Sequence, residues 1–208
     1  MHAAMALEIE RRFLVSGDAW RSHVCWQADL RQGYLLADGQ GRTVRVRLSE
    51  RGEEAQAWLT LKAPQPPGST DDDGAITRLE FEYSIPLEDA KALLRLAPHE
   101  LAKRRHGLDL PGGEWVLDVF EGANAPLVVA EVELVSAASP LVLPSWCVRE
   151  ISVRHELSNA ALALRPLAQW SEAERCSLFE GPSDRVDARS LRASDGFLPH
   201  HCPQGSSS

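Results

Sequence analysis

Glu8-Ile9-Glu10-Arg11-Arg12 sets charge against an apolar residue where a strand begins. In a β-strand residues two apart share a face, so Glu8, Glu10 and Arg12 point one way and Ile9 the other. The alternation returns at Arg45-x-Arg47, Thr60-x-Lys62, Glu80-x-Glu82, Lys103-x-Arg105 and Glu131-x-Glu133, mostly with apolar residues between. A single such pair is usually a solvated strand face, and an exposed ion pair contributes little. The whole set reads differently, because the intervening Ile9, Val46, Leu61, Phe81 and Val132 need burial on the opposite face. Charge on one face of many strands and apolar residues on the other imply a polar interior or cleft.

Working outward, short β-rich runs lie at about 7–15, 28–36, 43–48, 57–61, 77–85, 101–106, 114–120, 128–134 and 148–153. Turn signals such as Asp38-Gly39-Gln40-Gly41 and Pro111-Gly112-Gly113 separate them. Helices are expected over Leu87–Ala97, between Pro86 and Pro98, and from Ser158 or Asn159 to Leu164 before Pro166. A turn of helix is expected near 17–23, and residues 63–74 read as a polar loop. Beyond about Ala168 periodicity fades, and 168–208 are expected to be a flexible C-terminal extension to a domain over 7–167. Eight or nine strands on short connections suggest an antiparallel sheet that closes or nearly closes, with the Leu87 helix covering its outside.

The 208 residues, 44% hydrophobic and 25% charged, suit one globular domain with an appendage. A net charge of −8 argues against nucleic-acid binding through overall charge, and leaves a concentrated basic pocket open. No basic segment leads into an apolar core at the N-terminus and no run of 18 apolar residues occurs, so neither signal peptide nor membrane span is expected. Cys25, Cys147, Cys176 and Cys202 lack C-x-x-C spacing and read as reduced thiols of a cytoplasmic protein. Lone His106 and His155, the tail triplet His200-His201-Cys202, the six tryptophans and Asp71-Asp72-Asp73 read as structural or solvated groups.

Glu8-Ile-Glu-Arg-Arg-Phe-Leu-Val15 resembles the E-x-E-x-K signature of the CYTH superfamily, the triphosphate tunnel metalloenzymes. The resemblance continues in order through Leu30-Arg-Gln-Gly-Tyr-Leu35, Val44-Arg-Val-Arg47, Leu59-Thr-Leu-Lys62 and Leu79-Glu-Phe-Glu82. It ends with Lys103-Arg-Arg105, Trp115-Val-Leu-Asp-Val-Phe120, Ala130-Glu-Val-Glu133, Glu150-Ile-Ser152 and Asn159. It implies a mainly β (α+β) fold, an eight-stranded antiparallel closed β-barrel forming a triphosphate tunnel, with peripheral helices. It also implies a hydrolase dependent on Mg²⁺ or Mn²⁺, most like short bacterial inorganic triphosphatases that release phosphate and pyrophosphate. A class IV-type adenylate cyclase and a noncatalytic triphosphate- or polyphosphate-binding module are the alternatives. A homodimer is neither specified nor excluded.

A triphosphate is a dense polyanion, and Arg45, Arg47, Lys62, Lys103 and Arg105 supply cations for successive phosphates, with Arg31 a further candidate. By the resemblance, Glu8, Glu10, Glu131 and Glu133 are metal-binding carboxylates, the ligand class Mg²⁺ takes. Glu80, Glu82 and Asp118 are interior acids that position the cations, hold metal or orient water. The catalytic group is expected among Arg12, Glu10 and Glu82.

Arg12 departs from the signature, which ends in Lys. A Lys can act as a base when burial and neighbouring cations lower its pKa, whereas a guanidinium stays protonated. Arg12 can then clamp phosphate or developing charge, and three outcomes are open: Glu10, Glu82 or water held by the metal is the base, hydrolysis is slow, or the chain only binds triphosphate-containing ligands. Leu157 also stands where the family often has Tyr. If Arg12 occupies the position of the base, Arg12→Lys accelerates hydrolysis in a phosphate-release assay; an unchanged rate puts the base elsewhere.

Overall fold

The structure, a computed structural model, describes residues 6–38, 41–64, 76–136 and 139–179, with the backbone alone for 6–8 and 76–78. The polar loop from residue 65 and the tail beyond 179, including His200 and Cys202, lie outside the described residues. Among the described residues nine strands form: β1 (Ala6–Val15), β2 (Val24–Ala37), β3 (Thr43–Arg51), β4 (Glu54–Pro64), β5 (Ile76–Ser84), β6 (His99–Leu108), β7 (Glu114–Phe120), β8 (Val128–Glu133) and β9 (Cys147–Glu150). They make one antiparallel sheet in the order β5-β4-β3-β2-β6-β7-β8-β1-β9.

β1 has three partners. Glu10–Leu14 pair with Val129–Glu133 of β8, Ala6–Glu10 with Ile76–Glu80 of β5, and Phe13–Val15 with Cys147–Glu150 of β9. Because a strand has two edges, β5 and β9 share the one opposite β8. Directly opposed residues of an antiparallel pair lie on the same face. Arg12 opposes Glu131, Arg105 opposes Asp118, Gln32 opposes Arg47, Tyr34 opposes Arg45, Thr60 opposes Glu82 and Lys62 opposes Glu80. Several of the charged pairs therefore meet polar or oppositely charged residues across the ladder, and the charges gather on one face.

The other face is apolar and covered in two places. Phe13, Trp115, Leu117, Ala130 and Val132 are buried with Trp20, from a 3₁₀ turn at Ala19–His23, and with Leu134 and Trp146 from the connection between β8 and β9. Trp115 anchors this cluster, its ring centroid 6.2 Å from that of Phe13 and 6.3 Å from that of Trp146. Over β3 and β4 lies α1 (Leu87–Leu96), which seats Ala90 and Leu94 on Val46, Leu48 and Ala57. Glu88 and Asp89 in its first turn and Arg95 in its last match the helix dipole. Among the described residues coverage stops there: Leu61 and Phe81 are 38% and 37% exposed, against the expectation that both are buried. α1 reaches the Val46 end of the sheet and not theirs.

The chain divides into two compact units, Met1–Gln169 and Trp170–Ser208. The first carries α2 (Asn159–Leu164), capped by Ser158, whose Oγ accepts the Ala161 N–H at 3.2 Å, and ends in a 3₁₀ turn at Leu167–Gln169. The second holds α3 (Glu172–Phe179) where the sequence reading expected order to fade. Ser171-x-x-Glu174 is a capping box: Glu174 N–H donates to Ser171 Oγ at 3.3 Å, and Ser171 N–H to Glu174 Oε2 at 2.8 Å.

α1 approaches the sheet closely because β2 carries Gly33 beneath its end. A Cβ there would lie 2.7 Å from Ala97 Cβ and 3.0 Å from Leu94 Cδ2. Gly33→Ala is expected to cost about 1–3 kcal/mol by overpacking, read as a lower midpoint in urea denaturation.

Candidate active site

The charged face encloses a cavity of about 720 Å³. Five basic side chains enter its wall, Arg12, Arg45, Arg47, Lys62 and Arg105, together with the acids Glu10 and Glu131. Tyr34 and Thr43 complete the strand side, and the stretch from His155 through α2 to Leu164 forms the facing wall. Strand alternation delivers the first set. The second arrives because the chain turns back after β9 through a 3₁₀ turn at His155–Leu157.

The two sides of the strand wall differ in how their cations are held. On β6, β7 and β8, Arg105 donates from Nε and Nη2 to Asp118 and from Nη2 to Glu131, all at 2.7 Å. Lys103 is fully buried, bonded to Asp118 and, at 2.9 Å, to Asn159 Oδ1 of α2. Phe120 lies beneath its ammonium, 5.3 Å from ring centroid to Nζ. Burial opposes ionisation of Asp118, but Arg105 and Lys103 outweigh it and hold this carboxyl below the usual range. Burial also lowers Arg105, and Asp118 and Glu131 reverse that and raise it. Lys103 is pushed down to about 8 by burial, with Arg105 adding to the effect against Asp118.

On β3, β4 and β5 the contacts are longer. Arg45 lies 3.5 Å from Glu82 and 3.9 Å from Glu80, and Arg47 lies 3.8 Å from Glu82. Thr60 Oγ1 accepts from Arg45 at 3.1 Å and donates to Glu82 at 2.8 Å, fixing that carboxylate beside both guanidinium groups. Lys62 pairs with Glu80 at 2.8 Å. Arg47 is pushed down to about 10 by burial first and then by Arg45 and Arg105, which Glu82 and Glu80 only partly offset. Among the described residues, Nε of Arg12, Arg45 and Arg47 and Nε2 of Gln32 are buried donors without a hydrogen-bond partner. A concave wall with excess positive potential and idle donors suits an anion.

The residues expected at the site separate into groups. Glu10, Arg12, Arg45, Arg47, Lys62, Arg105 and Glu131 meet at the cavity. Glu80, Glu82 and Asp118 stand among its cations as ion-pair partners. Lys103 lies beneath the wall rather than in it. Glu133 is exposed and outside the lining, and the side chain of Glu8 lies outside the described residues. Arg31 points away, pairing on the outside with Glu100 at 3.1 Å, because its parity on β2 is opposite to that of Gln32 and Tyr34. Gln32 and Tyr34 were missed: Tyr34 is 3% exposed and its hydroxyl donates to Gln32 Oε1 at 3.3 Å. Both sit at inward positions opposite Arg47 and Arg45, so strand register carried the signal.

Carboxylate oxygens of Glu10 and Glu131 are the donor class that Mg²⁺ and Mn²⁺ take, so the lining fits such an ion in kind. Among the described residues no three His, Cys, Asp or Glu side chains already form a cluster for it.

Asp118 neutralises two buried cations, so Asp118→Asn is expected to destabilise by about 3–5 kcal/mol in chemical denaturation. Because the folded-state pKa of Asp118 lies below its unfolded value, its contribution is complete above the ordinary Asp range and declines as pH falls through and below it. Wild type should therefore lose stability on acidification below about pH 4, more steeply than Asp118→Asn.

The CYTH-domain family model matches residues 6–162. The inorganic triphosphatase of Acetivibrio thermocellus is 34% identical over 171 residues, covering 81% of this chain and 100% of that protein. That of Nitrosomonas europaea is 32% identical over 161 residues, covering 76% and 97%. A solved inorganic triphosphatase superposes with a TM-score of 0.51 at 31% identity, over 78% of this chain and 97% of the other. A match running from the first residue of β1 into α2, on a protein whose charged strand face encloses a basic cavity, makes this chain a member of the CYTH-domain family.

Proposed function

We propose that this chain hydrolyses inorganic triphosphate to phosphate and pyrophosphate, using a divalent metal ion. The observation that carries the reading is the five-cation cavity in which Arg45 and Arg47 keep idle Nε donors. The likeness to two inorganic triphosphatases over nearly their whole length supports it. The pairing of β1 with β5 supports a closed eight-stranded barrel, with β9 beside it on β1. The functional domain is taken as 7–167, with 168–208 an extension. Among the described residues no helix is long and apolar enough to cross a membrane. Free thiols at Cys25, Cys147 and Cys176 support a reducing compartment such as the cytoplasm.

In this reading Arg45, Arg47, Lys62 and Arg105 bind successive phosphoryl oxygens, and Asp118 holds the Arg105 fork in one orientation before substrate arrives. Lys103 supports the wall from beneath through Asp118 and Asn159. Glu82 and Glu80 aim the cations of β3 and β4. Glu131, with Glu8 and Glu133 as the further candidates, would hold the metal, which when bound supplies charge neutralisation at the phosphates. Water attacks the terminal phosphorus, the bridging P–O bond breaks, and pyrophosphate leaves. Glu10, in the cavity wall, joins the metal ligands or takes the water proton.

Purified protein with tripolyphosphate and Mg²⁺ or Mn²⁺ should release phosphate and pyrophosphate in equal amounts. Cyclic nucleotide formed from ATP would point instead to a cyclase, and tripolyphosphate binding without turnover to a binding module. Arg45→Ala and Arg47→Ala should each raise KM by about 10- to 100-fold through lost charge-assisted hydrogen bonds. Glu10→Gln separates the two roles of Glu10: loss of a base lowers kcat at saturating metal, whereas loss of a ligand raises the metal concentration needed.

A further inference from the structure

Arg12, a cation of the cavity wall, is tied by hydrogen bonds to the segment that leads into the opposite wall. Its side chain is 4% exposed. Nη1 donates to the carbonyl of Leu157 at 3.1 Å and Nη2 to the carbonyl of Ser152 at 3.3 Å. Its backbone joins the same stretch: the Arg12 N–H donates to Ser152 Oγ at 3.0 Å, and the Arg12 carbonyl accepts the Ile151 N–H at 2.8 Å. Ser152 Oγ is itself oriented by donation to Glu150 Oε1 at 2.8 Å. Four bonds from one residue thus fix a turn of seven residues, Ile151–Leu157, between β9 and the cap of α2.

That turn decides where the facing wall sits. Leu157 directly precedes Ser158, the cap of α2, and the wall residues His155, Ser158, Asn159 and Ala161 all follow from its path. α2 has only six residues and cannot hold itself in place by its own hydrogen bonds. A guanidinium suits the task because its rigid fork reaches two carbonyls at once, whereas an ammonium is a single point on a flexible stem. Nε lies 3.8 Å from Glu10 Oε1, so the same group also meets the carboxylate two residues earlier on β1.

We propose that Arg12 is a positioning residue, whose fork holds the Ile151–Leu157 turn and so sets α2 as the second wall of the phosphate cavity. Two of its donors are engaged with main chain and are not available to clamp phosphate. The inference rests on the triphosphate reading only for its kinetic consequence; the structural one is independent of substrate.

The test is hydrogen–deuterium exchange on the full-length protein, with Arg12→Lys and Arg12→Gln in parallel so that one folded variant suffices. The diagnostic amides are those of Arg154, Leu157, Ser158 and Leu162, which donate within the turn and into α2. They should exchange about tenfold faster in the variants, while amides of β7 and β8 keep their wild-type rates. Tripolyphosphate kinetics on the same samples should show KM raised more than kcat is lowered, because the binding wall is loosened and the reacting groups are kept. Unchanged exchange at these four amides overturns the proposal, as does an Arg12→Lys enzyme with higher kcat and unaltered KM. If wild type neither binds nor cleaves tripolyphosphate, the triphosphate reading fails and the exchange comparison still decides the role of Arg12.

Discussion

Taking a charge out of water is costly, and this fold turns a whole sheet face of charges inward. Everything about its interior follows from how that cost is offset. A buried arginine facing only other arginines would lose ionisation or open the fold, and Arg47, pushed down to about 10, shows the tendency. Interleaved carboxylates prevent it elsewhere. Asp118 serves Arg105 and Lys103 together, Glu82 serves Arg45 and Arg47, and Glu80 serves Lys62. The strand period of two makes this arrangement attainable, because opposed residues share a face and acid meets base directly at Arg12–Glu131, Lys62–Glu80 and Arg105–Asp118.

The compensation is uneven, and the unevenness gives the cavity direction. The β6–β7–β8 side is close to internally neutral, its cations gripped at 2.7 Å. The β3–β4 side holds its arginines at 3.5 Å or more from their acids and leaves their Nε groups idle. A polyanion would find one side rigid and preorganised and the other still lacking negative charge. Arg47, no nearer than 3.8 Å to Glu82, is where a bound polyanion would add most to the compensation.

Strands and their inward faces were legible in the sequence because the pattern is local: charge at every second residue needs no knowledge of what lies across the sheet. Both main helices were legible for a similar reason, bounded by Pro86 and Pro98 or by the Ser158 cap. The roles of Gln32, Tyr34 and Arg12 were not. Gln32 and Tyr34 carry no charge to mark them, and only their register against Arg47 and Arg45 brings them inside. Arg31, one residue away and charged, drew attention and faces out. Arg12 was read by comparison with a lysine, and its partners are two carbonyls about 140 positions further on, which no side-chain pattern announces. α3 was missed although Ser171-x-x-Glu174 was in plain view, since its apolar periodicity is weak.

The acceptors that Arg12 grips are carbonyl oxygens, and every amino acid has one. Residues 152 and 157 present the same two oxygens whatever their side chains, provided the turn keeps its path. The fork is therefore indifferent to the side chains it meets, while the Arg12 main-chain N–H still draws on the hydroxyl of Ser152. The turn can vary in chemistry where it borders the cavity, altering what His155 or Glu156 offers to a ligand, while the fork that grips its main chain stays on β1. This division leaves the wall opposite the fixed cations as the part of the cavity most readily altered by substitution.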